Sequence, residues 1–243
     1  MFDRLKRSVK SLRSRITERR LGETARSVRL DGLTYLSVEK MERIEQALRE
    51  VEAAGVPGDF LEFGVALGGS AIVIAERAVA DGRTFRGFDV FGMIPEPTSD
   101  KDDAKSKERY RQIASGKSRG LRGGVYYGYR SDLFTEVVAS FTRYGLPPVP
   151  GSVELHKGLF EETIPVVLPD PNRPIAFAHI DCDWFDPVAY CLKTVGDRLA
   201  VGGIVVLDDY NDYGGCRTAV EEFLATRPDL ELEIGPSAAI RRR

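Results

Sequence analysis

The chain has 243 residues, of which 42% are hydrophobic and 30% are charged, and its net charge is -2. This composition excludes a collagen-like or wholly disordered chain, and no apolar run approaches the ~18–20 residues that cross a bilayer. The balance of 35 basic against 37 acidic residues disfavours nucleic acid as a partner, since a duplex-binding protein needs a basic surplus. Three cysteines without zinc-ligand spacing favour a reducing, cytoplasmic setting.

The first 30 residues differ from the rest of the chain. Up to Arg20 they hold eight basic residues and two acidic ones, and apolar side chains recur at helical intervals at Phe2, Leu5, Val9, Leu12 and Ile16. This spacing predicts a basic helix with a narrow apolar stripe. The favoured interpretation is that the helix packs on its own domain or on a sister subunit in a homo-oligomer. Contact with an anionic membrane surface is the alternative.

Strands and helices then alternate. Helices are predicted at 37–54, 71–79, 133–144, 161–167, 188–199 and 218–225, and strands at 59–64, 84–90, 153–156, 175–181, 203–207, 230–234 and 238–240. The alternation predicts a parallel sheet with helices on both faces. The polar stretch 92–131, with one short helix at 103–114, predicts a lid. The chain therefore divides into an arm, 1–30, and a domain, 31–243, that carries this lid.

The predicted strands end in glycine and acidic residues, and ligands bind beyond the carboxyl ends of strands in open parallel sheets. The first turn contains Gly64, Gly68 and Ser70, which let the backbone approach a ligand and then open a helix whose amides favour a carboxylate. Glu62 in this turn suits an ammonium group. Asp89 ends the next strand and is placed to accept hydrogen bonds from ribose hydroxyls. An amino acid beside one turn and a ribose beside the next together describe S-adenosylmethionine.

Three acids end two later strands. Asp181 follows one strand, and Asp208 and Asp209 follow the next, so a single connecting helix places all three side by side. Their mutual repulsion calls for a cation, and carboxylate oxygens suit Mg²⁺ or Mn²⁺. The alternative is that they only cap the helices that follow. Asp181 is the first choice of proton acceptor. His179 is the second, although a buried structural role is favoured for it.

Five segments carry a family resemblance. They are Phe60–Ser70, Gly87–Phe91, Lys157–Thr163, His179–Asp186 and Leu207–Asn211 with Gly215–Arg217, and they resemble the macrocin O-methyltransferase (TylF/MycF) family from about residue 33 to the C-terminus. The resemblance implies a class I methyltransferase fold: a doubly wound, Rossmann-like α/β sheet, mostly parallel with an antiparallel C-terminal strand. It also implies S-adenosylmethionine, Mg²⁺ and transfer to a deoxysugar hydroxyl of an antibiotic glycoside or of a surface glycolipid or polysaccharide.

The resemblance also implies roles for individual residues. Those expected around the cofactor are Glu62, Gly64, Gly68 and Ser70 at its methionine end, Asp89 at its ribose, and Phe160 and Glu161 at its adenine. The expected metal ligands are Asp181, Asp208 and Asp209. The related catechol enzymes carry a lysine base three residues after the first of these acids. Trp184 stands at that position here, so the resemblance does not identify the base.

Three other functions compete with this one. A nucleotide-dependent oxidoreductase is disfavoured because the first turn lacks the Gly-x-Gly-x-x-Gly pattern. A non-catalytic interaction protein is disfavoured because clustered carboxylates are costly to keep without a metal. Within the methyltransferase class, a phenolic acceptor competes with a sugar.

Overall fold

The computed structural model describes residues 20–243, so most of the predicted basic helix lies outside the described residues. The helices are α1 (Glu23–Leu30), α2 (Val38–Ala53), α3 (Gly69–Ala80), α4 (Ala104–Ala114), α5 (Leu133–Arg143), α6 (Phe160–Val167), α7 (Phe185–Gly196) and α8 (Gly214–Leu224). The strands are β1 (Asp59–Phe63), β2 (Phe85–Asp89), β3 (Val153–Lys157), β4 (Ile175–Ile180), β5 (Leu199–Leu207), β6 (Leu230–Glu233) and β7 (Ala238–Arg242). Among the described residues, no helix is both long and apolar enough to span a bilayer.

The seven strands form one sheet in the order β3-β2-β1-β4-β5-β7-β6. The first five in this order pair in parallel, and β7 runs antiparallel to both β5 and β6. This confirms the predicted doubly wound sheet with an antiparallel C-terminal strand. The strand order reverses direction between β1 and β4, which is where a ligand crevice opens in such folds.

The central strands are buried on both faces, which explains their continuous apolar sequence. All five residues of β1 and all six of β4 are buried. One apolar cluster joins α1, α2, α3 and α5 on one face of the sheet, and a second joins α6, α7 and α8 on the other. The rigid layer between these two clusters fixes the strand ends where the predicted site residues lie.

Gly64 allows the ends of β1 and β4 to approach each other. Its φ is 95°, and a Cβ atom there would lie 1.8 Å from the carbonyl oxygen of Asp181. Two backbone hydrogen bonds of 2.9 Å hold this arrangement, from the amide of Asp181 to Phe63 and from the amide of Gly64 to Phe88. The main chain that carries Asp181 can therefore lie against β1 only because residue 64 has no side chain.

We expect Gly64→Ala to destabilise the protein by more than about 3 kcal/mol, because it adds a collision with backbone to the cost of a left-handed alanine. Gly82→Ala is the matched control, since Gly82 also has a positive φ of 68° but nothing within 4 Å of the added atom. It should cost only about 1–2 kcal/mol. Urea unfolding measures both. Equal losses would contradict the close approach at Gly64.

Candidate active site

A cavity of about 1010 Å³ opens at the carboxyl ends of β1, β2, β4 and β5. The predicted site residues that line it are Gly64, Asp89, Phe160, Glu161, Asp181, Asp208 and Asp209. The predicted residues outside its lining are Glu62, Gly68, Ser70 and His179. The cavity is as large as the upper end of ordinary small-molecule sites, so it has room for more than one ligand.

The three acids at the ends of β4 and β5 come together. Asp181, Asp208 and Asp209 each offer a carboxylate oxygen, and these oxygens lie within 4.8 Å of one another. Burial, followed by the charges of the other two acids, raises the pKa of Asp181 well above its ordinary value. Burial and the charge of Asp183 do the same to the pKa of Asp209. A bound cation would remove this penalty, and a set of carboxylate oxygens is the donor set that hard divalent cations prefer.

Two of these acids have fixed orientations. Asp208 accepts hydrogen bonds from Lys40 Nζ at 2.8 Å and from Ser237 Oγ at 3.2 Å. Asp209 accepts one at 2.9 Å from the backbone amide of Asp183. Asp181 is the least buried of the three acids. Donors of this kind are what hold metal ligands in position.

Lys40 is a site residue that the sequence analysis missed. Its Nζ also donates to the carbonyl of Asp208 at 3.1 Å and to Asp212 Oδ2 at 2.7 Å, so three oxygens surround the ammonium group. Burial lowers the pKa of Lys40, but the Asp208 and Asp212 carboxylates outweigh this effect and raise that pKa. Lys40 therefore stays charged. No sequence pattern links it to Asp208, because 168 residues separate them.

Asp183 is a further acid in the cavity, and the sequence analysis gave it no role. Its φ of 59° is in the left-handed region, which few L-residues adopt, although Asp does so more readily than most. Burial, then the charge of Asp208, raises the pKa of Asp183 to about 7, against the opposing charges of Arg109 and Lys40. A carboxylate with this position and pKa can take a proton from a ligand near neutral pH.

Glu62 and His179 pair with each other inside the sheet. The distance from His179 Nδ1 to Glu62 Oε1 is 2.8 Å, and both side chains are fully buried. The second oxygen of Glu62 and the Nε2 of His179 have no hydrogen-bond partner among the described residues. Since neither side chain lines the cavity, this position favours the structural role of His179 over that of a proton acceptor. Glu62 likewise lies behind the first turn and does not line the cavity.

The first turn and the end of β2 form one wall of the cavity. Asp89 accepts hydrogen bonds from the amides of Ala66 at 2.8 Å and Phe91 at 2.6 Å, which fix its carboxylate. Burial raises the pKa of Asp89, and these amides oppose the rise. At the start of α3, the amide of Gly69 donates to the carbonyl of Leu33 at 2.9 Å. One amide that was expected to bind a ligand carboxylate is therefore already occupied.

The polar segment 92–131 covers the cavity, and two adjacent acids fasten it. Asp102 accepts a hydrogen bond of 2.9 Å from the amide of Phe185 at the start of α7. Asp103 accepts one of 2.9 Å from Gly214 at the start of α8 and one of 2.8 Å from Ser106 at the start of α4. The lid residues that line the cavity include Arg109, Tyr126 and Tyr127. The two helices that follow the acid cluster therefore also hold the lid.

We expect Asp103→Ala to loosen the lid, because two helix N-termini each lose a capping bond, for a total of about 1–2 kcal/mol. Trypsin should then cleave at the lysines and arginines of segment 92–131 roughly tenfold faster, as the open population rises. Asp132→Ala is the control, since Asp132 caps only α5, through a bond of 3.4 Å to Thr135. Unchanged cleavage of the Asp103 variant would show that the lid is held by other contacts.

Comparison with known proteins adds a family match. The sequence profile of the macrocin O-methyltransferase (TylF) family matches residues 3–231. The chain is 29% identical over 193 residues to 8-demethyl-8-(2,3-dimethoxy-alpha-L-rhamnosyl)-tetracenomycin-C 4'-O-methyltransferase of Streptomyces olivaceus, covering 78% of this chain and 67% of the relative. It is 27% identical over 197 residues to mycinamicin III 3''-O-methyltransferase of Micromonospora griseorubida, covering 78% and 69%.

Solved structures show the same fold. The O-methyltransferase NovP superposes with a TM-score of 0.68 at 25% identity, over 87% of this chain and 82% of that one. The calicheamicin methyltransferase CalS11 gives 0.58 at 23% identity, over 83% and 77%. The SAH-bound methyltransferase PaMTH1 of Podospora anserina gives 0.58 at 15% identity, over 97% and 96%. The fold predicted from the sequence is therefore confirmed by comparison as well as by topology.

Proposed function

Because the chain belongs to the macrocin O-methyltransferase (TylF) family and is an O-methyltransferase, we propose that its methyl donor is S-adenosylmethionine and that its acceptor is a deoxysugar hydroxyl. The sugar belongs to a natural-product glycoside or to a surface glycolipid or polysaccharide. The names of two relatives support this proposal, since one methylates a rhamnosyl tetracenomycin and the other mycinamicin III. The observation that supports the transfer chemistry itself is the acid cluster facing the cavity of a methyltransferase fold.

Asp181, Asp208 and Asp209 are the residues that would hold a divalent metal, Mg²⁺ or Mn²⁺. Their oxygens are close enough to share one ion, and the chemistry of the donor set fits it. Lys40 and Ser237 orient Asp208, while the Asp183 amide orients Asp209. When bound, such an ion supplies positive charge that lowers the proton affinity of a nearby hydroxyl.

In this proposal the ends of β1, β2 and β3 would hold the cofactor. Asp89 receives the ribose hydroxyls, since its carboxylate lines the cavity at the end of β2 and is fixed by two amides. The backbone at Gly64 meets the methionine end, and Phe160 with Glu161 meets the adenine. Glu62 lies behind this wall, where it is hydrogen-bonded to His179. Gly68 and Ser70 belong to the turn that leads into α3.

The chain contributes three things to methyl transfer: a proton acceptor, the alignment of the reacting atoms and the exclusion of water. A carboxylate of Asp181, or of Asp183 beside it, takes the proton of the acceptor hydroxyl. The acceptor oxygen bonds to the methyl carbon while the carbon–sulfur bond breaks, leaving its electron pair on sulfur and releasing S-adenosylhomocysteine. The walls hold oxygen and carbon at ~3 Å in line, and the lid excludes water. Positioning is the main contribution, because the sulfonium is already a good leaving group.

The acceptor class is tested by a panel of hydroxyl compounds with S-adenosylmethionine and Mg²⁺. We expect methylation of L-rhamnosyl glycosides, detected as a mass gain of one methyl group, and no methylation of catechol. Catechol as the better acceptor would favour the phenolic alternative. Binding of S-adenosylhomocysteine without turnover on any member, including deoxysugar-bearing macrolides and glycolipids, would favour a non-catalytic role.

We expect Asp208→Asn to weaken Mn²⁺ binding and to lower turnover by at least about a hundredfold, because the amide removes one anionic ligand. Binding of S-adenosylhomocysteine, measured by calorimetry, should change little, since the cofactor lies on the other strands. Asp212→Asn is the matched control, because Asp212 shares Lys40 with Asp208 but does not belong to the acid cluster. A full Mg²⁺ response in the Asp208 variant would overturn the proposed metal site.

A further inference from the structure

Charge is distributed very unevenly along the chain. Segments 1–30 and 92–131 hold 19 of the 35 basic residues but only 8 of the 37 acidic ones. The rest of the chain is correspondingly acidic, with 16 basic residues against 29 acidic ones. The near-neutral total therefore conceals a basic arm and a basic lid on an acidic body. Such an asymmetry points to a polyanionic surface as a partner.

The end of the arm and the lid lie against each other. Arg122 Nη2 donates to the carbonyls of Leu30 at 2.9 Å and Arg29 at 3.2 Å, which are the last residues of α1. The rings of Tyr35 and Tyr127 also meet, with centroids 5.9 Å apart, and both line the cavity. The described end of the arm and the lid thus form one continuous surface next to the cavity.

This surface combines exposed cations with exposed apolar side chains. Lys117, Arg119 and Arg122 are exposed, and no ion pair within residues 20–243 includes them. Beside them, Leu30 is 67% exposed and Val125 is 61% exposed, and Val125 is bridged to Arg119 across a tight turn. Exposed apolar residues among cations are characteristic of proteins that rest on anionic membranes.

We propose that Leu30, Lys117, Arg119, Arg122 and Val125 form a docking surface for an anionic phospholipid bilayer, acting together with the basic arm. Residues 1–20 supply the second contribution through their eight basic residues and their apolar residues at helical spacing. The two contributions add, so together they bind an anionic membrane more tightly than either does alone. The docked enzyme presents the cavity beside the bilayer, where a lipid-borne glycoside would be met.

A bilayer fits this surface better than a sister subunit does. A stable protein interface buries about 1,200–2,000 Å² with complementary shape, which needs far more than five side chains. On an anionic bilayer each basic residue contributes separately, with about a fivefold gain in affinity per charge. A few cations beside two apolar residues therefore contribute usefully to membrane binding.

The test is co-sedimentation of the full chain with vesicles of phosphatidylcholine alone or with 30% phosphatidylglycerol. We expect binding only to the anionic vesicles, and weaker binding in 0.5 M than in 0.1 M NaCl. Lys117→Glu with Arg119→Glu should reduce the affinity at least tenfold. Arg49→Glu with Lys193→Glu is the matched control, since it changes the net charge equally at exposed sites elsewhere and should alter binding less than threefold.

Deleting residues 1–19 separates the two contributions. The shortened chain should retain weak binding to anionic vesicles, and the Lys117/Arg119 pair of substitutions should abolish what remains. Equal binding to both vesicle types, or equal losses in the two charge-reversed pairs, would overturn the proposal. If the wild-type chain does not bind vesicles but forms a dimer, and the variant with Lys117→Glu and Arg119→Glu is a monomer, the surface is instead an interface with a second copy of the chain. Calorimetry with S-adenosylhomocysteine tests the cofactor site of each variant independently.

Discussion

Mutual repulsion among three carboxylates has to be offset by the structure around them, and most of the local contacts serve this purpose. Asp181, Asp208 and Asp209 have oxygens within 4.8 Å of one another in a largely buried setting. Keeping them there requires a glycine at position 64, so that the backbone carrying Asp181 can lie against β1. The Lys40 ammonium of α2, which lies 2.8 Å from Asp208, supplies positive charge that offsets part of this repulsion. Residues far apart in sequence therefore stabilise the same cluster of negative charges.

The sequence predicted the position of this cluster because two simple regularities determine it. Strand–helix alternation places the ends of β4 and β5 side by side, and the acids directly follow those ends. The stabilising partners have no such regularity. Lys40 is 168 residues from Asp208, and the left-handed backbone of Asp183 depends on the turn in which it is held. Contacts of this kind arise from tertiary packing, which periodicity in one chain does not encode.

Distance from the strand end decides which predicted residues reach the cavity. Asp89 is the last residue of β2, and Asp181 and Asp208 come directly after β4 and β5; all three line the cavity. Glu62 and His179 are each one residue short of their strand ends, and they are paired in register within the sheet. Pleating turns alternate side chains to opposite faces, so a shift of one residue exchanges a position that lines the cavity for one inside the sheet. Residue type alone could not separate these two groups.

The lid and the acid cluster rest on the same two helix starts. Asp102 and Asp103 accept hydrogen bonds from the first turns of α7 and α8, and these helices begin a few residues after Asp181 and Asp209. Glycine at 215 makes the contact possible, since a Cβ atom there would lie 2.1 Å from Asp102 Oδ1. Anything that orders the turns carrying the acids therefore also orders the amides that fasten the lid. By thermodynamic reciprocity, contacts that hold segment 92–131 in place must favour the same arrangement of the acids.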